Sequence, residues 1–402
     1  TTLFRSAITL RADSYQTADL EATPISKRVH EIAFELPDIE RGGYPHFMLK
    51  EIFEQPQTIR NAFRGRIVRS EGTAKLGGID EEMLREVQRC HILACGTSWH
   101  AGLVGKYLLE NLARVPTQVS YAAEFRYANP VIEPDTLMIA ISQSGETADT
   151  LAGVREATMR GANAMGICNV VGSTIARECG QGVYIHAGPE IGVASTKAFT
   201  GQVTVLMLLA IYLGRMRGMG LRDALRYIDA LEKLPEQAEQ LLDQSDAVRD
   251  IALEYADAPN FLYVGRLYEY PLALEGALKL KEISYLHAEG IPAAELKHGP
   301  IALVDENMPT VVLAVQSGIL DKMKSNVQEI RARGGRILAL AREGDVELPK
   351  MAEQTIFVPS TLDELVPILA VIPLQLLAYH IAVECGCDVD KPRNLAKSVT
   401  VE

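Results

Sequence analysis

The chain has 402 residues, of which 48% are hydrophobic and 23% charged, an ordinary balance for a globular protein of two or three domains. A formal net charge of −12 argues against nucleic acid, which needs a basic face. It leaves room for a phosphorylated small molecule, because local backbone N–H groups can hold one phosphate whatever the global charge.

Residues 1–36 are polar with short alternating runs, such as Ala7 to Arg11 and Val29 to Phe34, and read as the last strands of a domain lying upstream. Residues 37–80 contain Gly42, Gly43, Pro45 and Pro56 and read as a linker with one short helix. From 81 to 221 strands and helices alternate. His91 to Gly96 is a strand ending in glycine, followed by a helix to Ala113. Further strands are expected near Gln118–Tyr121, Leu137–Ile141, Ala164–Cys168 and Val183–His186, then an apolar helix from Ser195 to Arg215. Residues 222–251 fall in a Leu-spaced helical connection. Residues 252–390 begin again with the strand Phe261 to Gly265 and repeat the pattern, and residues 391–402 form a polar tail. Alternation of this kind predicts an α/β fold with parallel sheets covered on both faces, and ligands at the carboxyl ends of the strands.

The six cysteines (Cys90, Cys95, Cys168, Cys179, Cys385, Cys387) lack C-x-x-C or finger spacing, and several sit in apolar runs. They read as buried residues of a reducing, cytoplasmic protein, with no metal expected. No signal peptide is expected at the start. The apolar stretch Val366 to Val383 is interrupted by Pro367, Pro373, Gln375 and His380, and fits a buried helix better than a membrane span.

Gln143-Ser144-Gly145 and Gln316-Ser317-Gly318 align at an offset of 173 residues, as do Gly161 and Gly334. Each triplet follows an apolar strand and precedes a helix, so the chain reads as a duplicated domain. Ser142, Gln143, Ser144 and Thr147 form a hydroxyl- and amide-rich turn suited to holding a phosphate at a helix start without lysine. A plain capping turn is the alternative, and the density of donors favours a site. The second copy has lost most of its hydroxyls, so one phosphate site per chain is expected. Thr97 and Ser98 end another strand, either as a cap or as the opposite wall of that pocket, and Glu190 to Thr196 is a similar loop. On the helix around Glu275 to His287, the residues Glu275, Lys279 and Glu282 share a wedge of roughly 60°. That wedge is either a solvated charged stripe or a cavity able to shuttle protons. His298 and Lys397 would not stand out on spacing alone.

Taken together, Cys95-Gly96-Thr97-Ser98, Ser142 to Thr150, Glu190 to Thr200, Leu278 to Tyr285, Glu295 to Pro300 and Pro392 to Glu402 closely resemble the isomerase half of the glucosamine-6-phosphate synthases. These are also called glutamine:fructose-6-phosphate aminotransferases (isomerising). The likeness runs from about residue 45 to the end. It implies two tandem SIS (sugar isomerase) domains, each a parallel five-stranded sheet flanked by helices. It also implies Ser142, Gln143, Ser144 and Thr147 on the sugar phosphate, with Thr97, Ser98, Val193, Ser195 and Ala396 completing the substrate site. Glu282 would move a proton between sugar carbons, Lys397 would form a Schiff base, Lys279 would steady charge, and His298 would open the sugar ring from a neighbouring subunit. The expected substrate is fructose 6-phosphate, the expected assembly a homodimer, and no cofactor, nucleic acid or membrane partner is implied. The family carries an N-terminal glutaminase domain with a terminal cysteine nucleophile; residues 1–36 look like the remnant of that domain and the first cysteine is Cys90, so the chain is expected to lack the ammonia-producing part and not to use glutamine. A phosphosugar-sensing regulator or a phosphosugar deaminase on the same scaffold is the rival reading.

Overall fold

The computed structural model describes residues 7–11, 13–19, 21–26 and 40–400. The expected run at 29–34 and the last two residues lie outside them. The chain divides into two units, Thr1–Asp38 and Ile39–Glu402. In the first, β1 (Ala7–Leu10) and β2 (Tyr15–Ala18) pair as an antiparallel hairpin.

The second unit opens with α1 (Phe47–Phe53) and α2 (Gln55–Phe63), a small hairpin of β3 (Ile67–Val68) and β4 (Thr73–Ala74), and α3 (Glu81–Glu86). This corrects the expected linker with one short helix. Met48, Ile52, Ile59 and Ala62 are fully buried at helical spacing, and α2 packs on the later helices α8 and α9 (bounds below). The glycines and prolines masked that pattern, although Pro56 falls in the first turn of α2, where a missing N–H costs nothing.

The first sheet is built from β5 (Arg89–Ala94), β6 (Thr117–Tyr121), β7 (Thr136–Ser142), β8 (Asn163–Cys168) and β9 (Gly182–Tyr184). All pairings are parallel, in the order β6-β5-β7-β8-β9. Its helices are α4 (Gly96–Leu108), extended by a π turn at Leu109–Ala113, then α5 (Ala122–Tyr127), α6 (Ala148–Met159), α7 (Thr174–Cys179) and α8 (Lys197–Met216). Two helices, α9 (Leu221–Leu242) and α10 (Ser245–Tyr255), lead onward.

The second sheet repeats the first: β10 (Asn260–Gly265), β11 (His287–Pro292), β12 (Thr310–Ala314), β13 (Ile337–Arg342) and β14 (Gln354–Val358), all parallel in the order β11-β10-β12-β13-β14. It is flanked by α11 (Glu269–Ser284), α12 (Leu320–Arg331) and α13 (Val366–Glu384). The two triplets aligned in the sequence thus follow β7 and β12, the third strand of each sheet. Strand β7 is buried at every residue, because helices cover both faces of a parallel sheet.

Two helices, α8 and the stretch Asp363–Glu384, are long and apolar enough to cross a bilayer. The apolar windows are 94% and 89% buried inside the fold, so they serve as core. The contact of α11 with α4 joins the two sheets, and this brings α11 to the carboxyl edge of the first one.

Candidate active site

In each sheet the chain reverses its winding between the first and third strands, and crevices for ligands open at such switch points. In the first sheet that crevice lies between the ends of β5 and β7. Gly96-Thr97-Ser98 leaves one strand and Ser142 to Thr147 leaves the other.

The loop after β7 closes on itself. The Gly145 N–H donates to Ser142 Oγ at 3.0 Å, Ser142 Oγ lies 3.0 Å from Thr147 Oγ1, and the Glu146 N–H donates to Ser144 Oγ at 3.1 Å. Gly145 has φ +66°, the left-handed region glycine favours. The result is a tight turn in which Ser142, Ser144 and Thr147 cluster at the start of α6. The Gln143 carbonyl accepts from the Asn169 N–H at 3.2 Å, which ties the loop to the end of β8.

The charged wedge on α11 is largely buried and not a solvated stripe. Glu275 is fully buried and Lys279 is 1% exposed. Glu275 accepts from Thr97 Oγ1 at 3.1 Å and faces His100 Nδ1 at 2.6 Å. Lys279 Nζ donates to Thr97 Oγ1 at 3.0 Å and pairs with Glu282 at 2.6 Å. Burial alone would lower the Lys279 pKa, but Glu282 and then Glu275 outweigh it and hold the ammonium above the ordinary lysine value. Glu282, unlike its neighbours, stays partly exposed, with 23% of its side chain accessible. Ser98 Oγ is fixed by Gln202 Nε2 of α8 at 2.9 Å.

The third wall is the turn after β9. Glu190 is buried and accepts from the Thr196 N–H at 2.9 Å, the Ala198 N–H at 3.1 Å and Ser195 Oγ at 2.9 Å. It also receives Lys397 Nζ at 2.7 Å from the tail. Burial would raise the Glu190 pKa, yet Lys397 and the backbone donors bring it down to about 2. The tail goes on to lay Ser398 Oγ 3.1 Å from Ser144 Oγ, and its Val399 carbonyl accepts from the Ala148 N–H at 3.1 Å. Arg393 stacks over Tyr285 at 4.2 Å, and its N–H donates to the Tyr285 hydroxyl. The Val193 N–H donates to the Asp390 carbonyl at 3.1 Å.

The residues singled out from the sequence thus fall into contact sets at the ends of the first sheet: Thr97, Lys279 and Glu282 on α4 and α11; Ser98 on Gln202; Ser142, Ser144 and Thr147 in the loop; and Ser195 and Lys397 on Glu190, joined to the loop through Ser398. Val193 and Ala396 sit on the same turn and tail, Ala396 exposed. His298 is elsewhere. It ends a 3-10 turn, Ala293–His298, after the edge strand β11, is exposed, and makes no hydrogen bond or ion pair among the described residues. Sequence reasoning assigned no role to His100, Gln202 or Glu190. Glu190 lies in a loop already noted, but its partner Lys397 is 207 residues away, and no local pattern announces that pairing.

In the second sheet the equivalent loop is already filled. The Ser317 and Gly318 N–H groups and the Ser317 hydroxyl donate to the Asp363 carboxylate at 2.9–3.2 Å. The Val315 and Gln316 N–H groups donate to buried Glu269. Internal acidic side chains, Asp363 and Glu269, thus occupy the backbone donors of the second loop.

Tandem parallel sheets of this order, with a hydroxyl loop at the first switch point, define a double sugar-isomerase-type protein, and the SIS domain model matches residues 83–212 and 254–385. The chain is 55% identical over 392 residues to a glutamine–fructose-6-phosphate aminotransferase (isomerizing) of Chlorobaculum tepidum, and 52% identical over 397 residues to one of Thermus thermophilus. These alignments cover 97% and 98% of this chain but 64% and 65% of the relatives, so the chain spans a little under two thirds of their length. Among solved structures, the C-terminal domain of glucosamine-fructose-6-phosphate aminotransferase from Francisella tularensis is 38% identical, with TM-score 0.83, covering 88% of this chain and 99% of that one. A glucosamine-6-phosphate deaminase of Thermotoga maritima, 23% identical with TM-score 0.67 over 88% of this chain and 99% of that one, shares the fold. The chain therefore belongs to the SIS family and, within it, to the C-terminal domains of the glutamine–fructose-6-phosphate aminotransferases.

Proposed function

We propose that the crevice of the first sheet binds fructose 6-phosphate and, with ammonia, converts it to glucosamine 6-phosphate, the first step of hexosamine biosynthesis. The Ser142–Thr147 loop grips the phosphate through hydroxyls and backbone N–H groups, with Gln143 as a further donor. Thr97, Ser98, Val193, Ser195 and Ala396 line the sugar. The Lys397 amine attacks the ketone carbon and forms a Schiff base with loss of the ketone oxygen as water, and ammonia then displaces the lysine amine to leave the imine. Glu282 takes the proton from C1 and returns it to C2, which turns the ketose imine into the aldose amine. The Lys279 ammonium, held charged by two carboxylates, steadies negative charge on the sugar oxygens.

One observation carries this reading: the tail lays Ser398 and Val399 on the hydroxyl loop while Lys397 meets Glu190, whose charge also acts on Lys279, the partner of Glu282. The exposure of His298 and its lack of a partner support a homodimer in which each subunit lends that imidazole to its neighbour to open the ring. Free cysteines, three of them with thiols pushed up to about 12 by burial, support a reducing, cytoplasmic setting. The relatives' names support glutamine as the nitrogen source, and a partner glutaminase domain is assigned to the part of them that this chain does not span.

The test is incubation with fructose 6-phosphate, assayed for glucose 6-phosphate, beside Glu282→Gln. Wild type should interconvert the two and the variant should lose at least about a hundredfold, the usual range for a proton-transfer group. An inert wild type, or a variant that matches it, removes the assignment.

A further inference from the structure

Glu51 stands on α1, ahead of both sheets, yet its carboxyl reaches the turn that holds Lys397. Its Oε1 accepts from the Ile191 N–H and, at 3.2 Å, from the Gly192 N–H. Its Oε2 is buried with no hydrogen-bond partner. Glu190, on the same turn, is the opposite case, since four donors including Lys397 satisfy it.

The site thus holds two buried carboxyls and one lysine. Other charges nearby are engaged. From α8, Lys197 pairs with Glu54 at 2.6 Å, and on α1 itself Lys50 lies 3.3 Å from Glu54. From the tail, Asp390 accepts from the Phe47 and Met48 N–H groups. From α13, Tyr379 meets His46 at 2.8 Å. Lys397 is taken up by Glu190 and Lys197 by Glu54, so neither places a donor on the second Glu51 oxygen. An anionic oxygen without a donor costs more than a neutral hydroxyl in the same place, which puts the proton on Glu51. Burial, and then the negative Glu190, accordingly push Glu51 up to about 8, against weaker pulls from the Ile191 N–H, Lys397 and Lys197.

We propose that Glu51 is a positioning residue for the Schiff-base lysine: as a neutral acid it pins the Ile191–Gly192 backbone and leaves Glu190 as the sole negative partner of Lys397. The proposal rests on the reading of Lys397 given above. A lysine attacks a carbonyl only as the free amine. A second negative charge at this turn favours an ammonium over an amine. A neutral Glu51 adds no such charge, and its ionisation above about pH 8 does.

The experiment traps sugar on Lys397 with borohydride in the presence of fructose 6-phosphate, from about pH 6.5 to 9.5, in wild type, Glu51→Gln and Glu51→Ala. The ratio of the Gln variant to wild type should climb about tenfold across that range, because only wild type gains a second buried charge. The Ala variant, which no longer holds the turn, should trap more slowly than the Gln variant throughout. A flat ratio overturns the proposal. Thermal midpoints read the same proton without substrate: the Gln variant should gain on wild type as pH rises from about 5 towards about 8 and keep that gain above it, and a difference that does not grow below pH 8 overturns the proposal equally. If wild type traps no sugar at any pH, the function reading falls, and the midpoint series alone decides the state of Glu51.

Discussion

Replacing Gly145 by alanine strains the loop after β7 at its tightest point. The backbone there has φ +66°, which costs an alanine about 1–2 kcal/mol. A Cβ at this position would lie 2.0 Å from Ser173 Oγ and 2.4 Å from Ser173 Cβ. Rotating the hydroxyl relieves the first overlap but not the second, so the loop itself must move. Its amide is tied to Ser142 Oγ at 3.0 Å and its carbonyl to the Ile175 N–H at 2.9 Å. Losing both bonds adds about 1 kcal/mol each, for a total of about 3–4 kcal/mol. Urea denaturation measures this directly. The double variant Gly145→Ala, Ser173→Gly removes the overlap and keeps the φ strain, so it should recover about 2 kcal/mol of the loss. A single variant within about 1 kcal/mol of wild type, or a double variant no more stable than the single, refutes the reasoning. Binding of fructose 6-phosphate should weaken in the single variant, since the displaced donors are those proposed to hold the phosphate.

Three further outcomes follow from acidic side chains with internal partners. Glu275→Ala leaves buried His100 without its carboxylate and leaves Lys279 to Glu282 alone, and should cost about 1–3 kcal/mol by urea denaturation. Glu269, pushed up to about 8 by burial against an ordinary value of 4.5, makes the fold sensitive to alkali. The stability it confers as a neutral acid is complete below 4.5 and is lost as pH rises through about 8. Thermal midpoints of Glu269→Gln should therefore decline less than those of wild type over that interval, and parallel declines would count against it. Asp363→Ala empties the loop after β12 and should cost about 2 kcal/mol, while sugar binding at the first sheet persists. Loss of that binding would mean the two loops are not separate sites.

The architecture was legible because strand–helix alternation and the repeat are local signals. Apolar runs such as Leu137 to Ile141 and Thr310 to Ala314 mark buried parallel strands, and the offset of 173 residues shows that the sheets are copies. The stretch 40–80 was misread because its glycines and prolines are louder than the spacing of Met48, Ile52, Ile59 and Ala62. At the site, the hydroxyl loop and the α11 wedge are each contained in a few consecutive residues, so their chemistry could be read directly. Whether the wedge faced solvent or a cavity could not, since one helix carries the same charges in either case.

What the sequence determined by itself was which residues could form strands, turns and a donor-rich loop, because those depend on neighbours within one or two turns of chain. What only the tertiary structure decided was which charges share a dry space. Lys397 meets Glu190 across 207 residues, Glu51 reaches the same turn from α1, and Asp363 fills the second loop from 46 residues away. Coulomb attraction and desolvation depend on distance and burial, and neither quantity is written along the chain.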